Sequence, residues 1–199
     1  TRPLSKLMQA AQVSGSNGEA TDALLDGHER ETDKMPHTWT APIGTSIELK
    51  WETPQKVECL RLIFDSNLND DKRMPCRYGL NDKAMQVPAT MVRSFTVEMQ
   101  SEQGDWVELT TVKDNRRRLC ILPVEQSVTA IRWTGQSTWG ASDLRVYSLE
   151  ASATAMPLSQ NPPAGKRWAD IIAEMPAEDL AEPDHGLEHK GHGSSRVGA

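Results

Sequence analysis

Between residues 46 and 149, apolar side chains keep returning at every second position, and that period constrains the fold more than any other feature of the chain. Ser46-Ile47-Glu48-Leu49-Lys50-Trp51 alternates polar with apolar, as a strand does when one face is buried and the other wet. A turn at Thr53-Pro54-Gln55 leads into Val57–Asp65, where Leu60, Leu62 and Phe64 share a face. Ser94–Gln100 alternates again, and Ser101-Glu102-Gln103-Gly104-Asp105 closes a hairpin into Trp106-Val107-Glu108-Leu109. Leu119–Leu122, Val128–Trp133 and Leu144–Leu149 complete the series. Short strands divided by turn-rich segments, with no helical period between them, predict an all-β jelly-roll β-sandwich.

The organisation around these strands is uneven. Residues 1–11 read as an N-terminal extension and 12–152 as the sandwich. Two connections within it are long, 15–45 and 65–90, and loops of that length in a compact domain usually carry function or are covered by a partner. Beyond Ser152 the composition shifts: Pro157, Pro162-Pro163 and Gly165 form a linker. A short amphipathic helix over about 166–175 then places Trp168, Ile171, Ile172 and Met175 on one side, a face suited to docking on a partner. The last stretch, rich in Gly, His and Ser, has little to bury and reads as a polar tail.

Several function classes are excluded or left without support. The net charge is −6, the wrong sign for sequence-independent nucleic-acid binding, which needs Lys and Arg on phosphates; the run Arg116-Arg117-Arg118 reads as a solvated hairpin end. No apolar stretch reaches the roughly 20 residues that a membrane span needs. No dinucleotide fingerprint, P-loop, zinc-protease helix or nucleophile elbow is present, so no complete catalytic site is expected and no cofactor bound by this chain alone. Cys59, Cys76 and Cys120 have no metal-ligand spacing, and Cys59 and Cys120 sit in strand-like apolar runs as small core residues. The oxygen-rich segment holding Asp22, Asp26 and Asp33 can wrap a hard cation such as Ca²⁺, although Asp26-Gly27 also makes an ordinary turn.

Six tryptophans against two Phe and two Tyr is an unusual balance. Trp51, Trp106 and Trp133 lie in strands and read as core. Trp139, in a loop before the last strand, is the candidate for an exposed indole platform, the surface against which a sugar ring packs. Trp39 either joins it or plugs the end of the sandwich. Past Phe64, the polar groups of Asp65, Asn67 and Asn69 face whatever meets the loop, or rigidify it by bonding their own backbone.

The loop with Asp26-Gly27, Arg30 and Trp39, the run into Ile47–Trp51, the strand Val57–Phe64 and the closing Arg145–Leu149 together resemble the discoidin-like, coagulation-factor type C group of galactose-binding-like jelly rolls, over about residues 12–151. The phrase Leu62-Ile63-Phe64-Asp65-Ser66-Asn67-Leu68-Asn69 is more narrowly similar to one in the C-terminal domains of bacterial FAD-dependent oxidoreductases. That resemblance implies a non-catalytic accessory domain packed on a flavin-containing catalytic domain or chain, with FAD held there and not here, and export to a periplasmic or secreted compartment. The broader resemblance implies a carbohydrate-binding module that uses Arg30, Trp39, Asp65, Asn67, Asn69 and Trp139. Sugar- and calcium-binding members of the group commonly carry a Glu in the last strand near Ser148, where this chain has its Glu two residues later, at Glu150. A third expectation is a structural subunit docking through its C-terminal helix.

Overall fold

Two very long strands turn the alternation into a sandwich. In the computed structural model, which describes residues 1–32, 34–68, 87–101 and 104–157, the strands are β1 (Gln12–Gly15), β2 (Trp39–Pro42), β3 (Ser46–Phe64), β4 (Val92–Gln100), β5 (Trp106–Val112), β6 (Leu119–Thr138) and β7 (Asp143–Ser152). Two four-residue helices, α1 (Lys6–Gln9) and α2 (Asp22–Leu25), precede the second strand. The first half of β3 pairs with the second half of β6 (Ile47 with Trp133), and the second half of β3 with the first half of β6 (Leu62 with Cys120). Each long strand thus serves both layers. One layer runs β5-β4-β6-β3-β1 and the other β6-β3-β7-β2, all antiparallel.

The corner between the layers corrects the sequence reading at Thr53-Pro54-Gln55. No turn divides two strands there; the chain stays extended while its pairing with β6 lapses between Lys50 and Gln55. On β6 the corner holds Pro123, which has no N–H to give to a ladder, and Glu125 with a left-handed φ of 53°. Leu119–Leu122 and Val128–Trp133 are accordingly two ends of one strand. Local pattern shows the lapse in alternation; only the partner strand shows that the chain continues through it.

The core fills the space between the layers. Ile47, Leu49, Phe95, Val97, Ile131 and Trp133 come from one side, Leu60, Leu62, Phe64, Val146 and Leu149 from the other, all essentially without exposure. Phe64, Phe95 and Trp133 form a tilted aromatic trio with centroids 5.3–6.0 Å apart. Burying each such side chain contributes about 1.5–3 kcal/mol, so the inner face is what holds the layers together. Trp51 and Trp133 are buried as their strand positions predict. Trp106 is half-buried on the outer face of its layer, with the Arg132 guanidinium 3.7 Å from its ring centre.

Residues 1–11 are built into this body. Met8 is buried in the core, Leu7 accepts a hydrogen bond from Trp51 Nε1 at 2.9 Å, and the Arg2 amide donates to Gly27 at 2.7 Å. Gly27 has φ +75°, and a Cβ there would collide with the Arg2 carbonyl oxygen, so the crossing of the two segments requires glycine. The proposed docking residues Trp168, Ile171, Ile172 and Met175 lie outside the described residues, as do Asp33 and Asn69.

Candidate ligand-binding site

The end of the sandwich opposite the corner gathers the connections. Phe64 donates to Arg118, Asp65 to Arg145, Asn115 to Arg93 and Trp139 to Met91, so the chain leaving β3, the β5–β6 loop and the β6–β7 loop are tied together by backbone bonds. Asn115, fully buried, does much of this tying: its side chain donates to Val92 and Arg117 and accepts from the Arg117 amide. Beside these ties, on the outer face of the β3–β7–β2 layer, lies a cleft of about 270 Å³ lined by Asp65, Asn67, Leu68, Arg145, Tyr147 and by Thr38 with its neighbours.

Strand geometry places each of these side chains. Along β7, Leu144 and Val146 go inward and Arg145 outward, as period 2 requires. Ile63 pairs with Ser148 but Phe64 with Val146, leaving Tyr147 as the extra residue of a bulge. Bulges re-aim side chains, and this one puts the Tyr147 ring beside Arg145 rather than into the core. Thr40 of β2 is the cross-strand partner of Arg145. Asp65, one residue past the end of β3, has its side chain 8% exposed. Its Oδ1 accepts from the Asn67 amide at 2.7 Å, and its Oδ2 is 3.5 Å from Arg145 Nη1. Asn67 takes a left-handed φ of 54°, a conformation that Asn tolerates better than most residues.

The result is an acceptor and a donor side by side at a half-open mouth. Arg145 and Asp65 are too far apart for a good hydrogen bond, so both keep capacity for a third party. The Arg145 side chain is 44% exposed, and Leu68, 63% exposed, offers an apolar surface at the rim. Burial, assisted by the Asp65 carboxylate, pushes the Tyr147 phenol above its ordinary pKa, so it remains a neutral hydroxyl.

The other expected site residues fall elsewhere. Trp39 is 1% exposed and packs edge-on against Trp133, ring centres 6.3 Å apart; as an inward residue of β2 it plugs the sandwich and cannot meet a ligand. Trp139 is no open platform either: its Nε1 donates to the Asn115 carbonyl at 2.7 Å, and the guanidinium groups of Arg93 and Arg116 lie 4.8 and 5.4 Å from its ring centre. The basic run is therefore packed rather than simply solvated, with Arg118 stacking on Tyr147 at 5.6 Å as well. Arg30 is exposed and lines a second cleft that shares Leu68 with the first.

Asp22 is exposed at the start of α2, and both carboxylate oxygens of Asp26 are engaged, by the His28 amide at 2.7 Å and by His37 Nδ1 at 2.6 Å. Among the described residues no three His, Cys, Asp or Glu side chains gather as a metal site. Glu150 points outward like Ser148, and its carboxylate faces Arg2 at 3.4 Å and Arg61 at 3.9 Å. Sequence reasoning missed Arg61, Arg118, Arg145 and Tyr147. For Arg61 a signal existed: a charge in the middle of Cys59-Leu60-Arg61-Leu62-Ile63.

No protein-family model matches the chain, and no curated protein does. Among solved structures, its fold is similar to the family 32 carbohydrate-binding module of Streptococcus pneumoniae EndoD, with a TM-score of 0.55 and 14% identity over 75% of this chain and 100% of that one. It is also similar to the GH31 CBM32-2 structure bound to GalNAc, with a TM-score of 0.52 and 10% identity over 71% and 97% of the two chains. A two-domain Bacteroides fragilis protein of unknown function matches at a TM-score of 0.51 and 13% identity, over 72% of this chain and 42% of that one. Its strands and topology make it an antiparallel β-sandwich, the fold it shares with these solved structures.

Proposed function

We propose that this chain is a carbohydrate-binding domain whose ligand enters the cleft between Asp65 and Arg145. The observation that carries the reading is that pair: a buried carboxylate and a half-exposed guanidinium 3.5 Å apart, with Thr38 and Thr40 hydroxyls and the Leu68 side chain around them. Neighbouring ring hydroxyls each donate and accept; a carboxylate accepts from one while a guanidinium donates to the next, both as charge-assisted bonds. A cleft of about 270 Å³ is at the small end of ligand pockets and suits one ring. The solved modules of similar fold, one described as bound to GalNAc, support the same reading.

Calorimetric titration of the full chain against a panel of neutral and charged saccharides is the test. Asp65→Asn and Arg145→Gln should each weaken binding by about 10-fold or more, since a hydrogen bond to a charged group contributes about 1.5–3 kcal/mol. Unchanged affinity in both variants, or no saccharide bound at all, overturns the reading.

The phrase Leu62–Asn69 favours a second reading, an accessory domain that covers part of a flavin-dependent oxidoreductase. The same loop end would then face the flavin domain, and the flavin would co-purify with the full-length protein. Absence of flavin absorbance from that material removes it.

A further inference from the structure

Beside the Asp65–Arg145 cleft is a larger one, of about 660 Å³, whose chemistry differs. Arg2, Arg30, Arg61 and Arg118 line it, and Glu29 is the one carboxylate among its described lining residues. The positive charge is concentrated here in a chain whose net charge is −6, so it is a local feature and not an average one. Arg61 is 8% exposed. Its Nη2 is 2.8 Å from Glu29 Oε1, and its Nη1, 3.9 Å from Glu150, makes no hydrogen bond among the described residues; nor does the buried Nε of Arg118. Buried N–H groups without an acceptor are costly and uncommon.

The two clefts are neighbours. Leu68 lines both, and Arg118 of the larger stacks on Tyr147 of the smaller. The segment Glu29–Thr32 walls them, with Glu31 facing the smaller and Arg30 the larger.

We infer that the ligand is an anionic saccharide, with ring hydroxyls held by Asp65 and Arg145 and its carboxylate or sulfate group seated among Arg30, Arg61 and Arg118. The inference rests on the saccharide reading above and narrows it. Guanidinium groups suit this task because their planar fork matches the two oxygens of a carboxylate or sulfate. The missing acceptor for Arg61 Nη1 is then supplied by the ligand.

The test is titration of the full chain with trisaccharides of galacturonate, mannuronate and glucuronate, each beside its fully methyl-esterified form, together with a sulfated galactose trisaccharide and its unsulfated parent. Esterification removes the charge and little else. At least one charged sugar should bind about 10-fold or more tighter than its uncharged counterpart, by an advantage that shrinks as salt is raised. Preference for the uronates or for the sulfated sugar tells which anion is taken. Arg30→Gln and Arg118→Gln should bring the charged-to-uncharged affinity ratio towards one, with melting temperature checked in both. Equal affinity for every charged and uncharged pair overturns the anion site and leaves the saccharide reading standing; no binding to any member overturns both.

Discussion

The two layers of the sandwich carry the same charged triad on their outer faces and treat it in opposite ways. In the five-stranded layer Arg132 of β6 sits between its cross-strand partners Glu48 and Glu98, at 3.4 and 3.6 Å, and all three side chains are about 30% exposed. In the other layer Arg61 of β3 sits between Glu150, its partner across the ladder, and Glu29 from the covering loop, with Arg61 and Glu150 at 10% and 7% side-chain exposure. One triad lies under water; the other lies beneath residues 1–4 and 26–32. The difference shows that the strand pattern decides which side chains face outward, whereas the covering segments decide whether outward means solvent. Cover converts a plain ion pair into the wall of a cleft.

Four experiments put this contrast at risk. The largest effect belongs to the inner face that both layers share. Phe64→Ala removes a ring packed on Phe95 and Trp133 and should cost about 3–5 kcal/mol, read by urea denaturation as one cooperative transition. Two separate transitions would show that the layers do not depend on a common core. Next comes Arg61→Ala, which takes from Glu29 its partner at 2.8 Å and leaves buried Glu150 with Arg2 alone; it should cost about 3 kcal/mol, while Arg132→Ala on the open face should cost less than about 1 kcal/mol. Equal losses in the same denaturation assay would erase the contrast.

Gly27→Ala strikes the cover directly, since it forces a Cβ against the Arg2 carbonyl at a left-handed φ. A loss of roughly 1–3 kcal/mol is expected, with faster amide exchange in residues 1–4 and 26–32 and little change in β4 and β5. Uniform exchange across the molecule would show that the cover is not a separable part. The smallest effect near neutrality is the alkaline one. Burial pushes the Cys120 thiol up from 9.0 to about 12 and also raises Cys59, and both lie in the strand halves of the covered layer. A raised thiol pKa means the neutral form is favoured when folded. The associated stability is complete below pH 9 and is lost as pH climbs towards 12, at roughly 1.4 kcal/mol per unit for a group shifted that far. Cys120→Ala should flatten that part of the pH–stability curve; an identical slope in the variant would exclude the thiol as its source.

How far the site could be read from residues alone follows the same line. Asp65 and Asn67 are visible because a polar run follows an apolar strand, and both line the cleft. Arg145 and Tyr147 are not, because period 2 along β7 assigns one outward residue at a time and says nothing of a bulge that depends on β3. Trp39 and Trp139 mislead in the other direction. An aromatic in a loop-like stretch reads as available, but Trp39 is the inward residue of a short strand too weakly patterned to detect, and Trp139 is roofed by arginines more than 20 residues away in sequence. The accessory-domain expectation rests on the phrase Leu62–Asn69 alone.

Alternation is a local property, so the residues alone show that the chain is built of strands and which side chains fill its middle; burial of Leu60, Leu62 and Phe64 on one face follows from strand geometry. Tertiary structure alone decided that β3 and β6 run unbroken through a corner into both layers, that the first residues lie across Gly27, and that Asp65 meets Arg145 eighty positions away. Those outcomes are contacts between segments distant in the chain, and hydrophobic burial, which drives the collapse, is non-directional: it sets which faces are hidden but not which loops come to rest together above them.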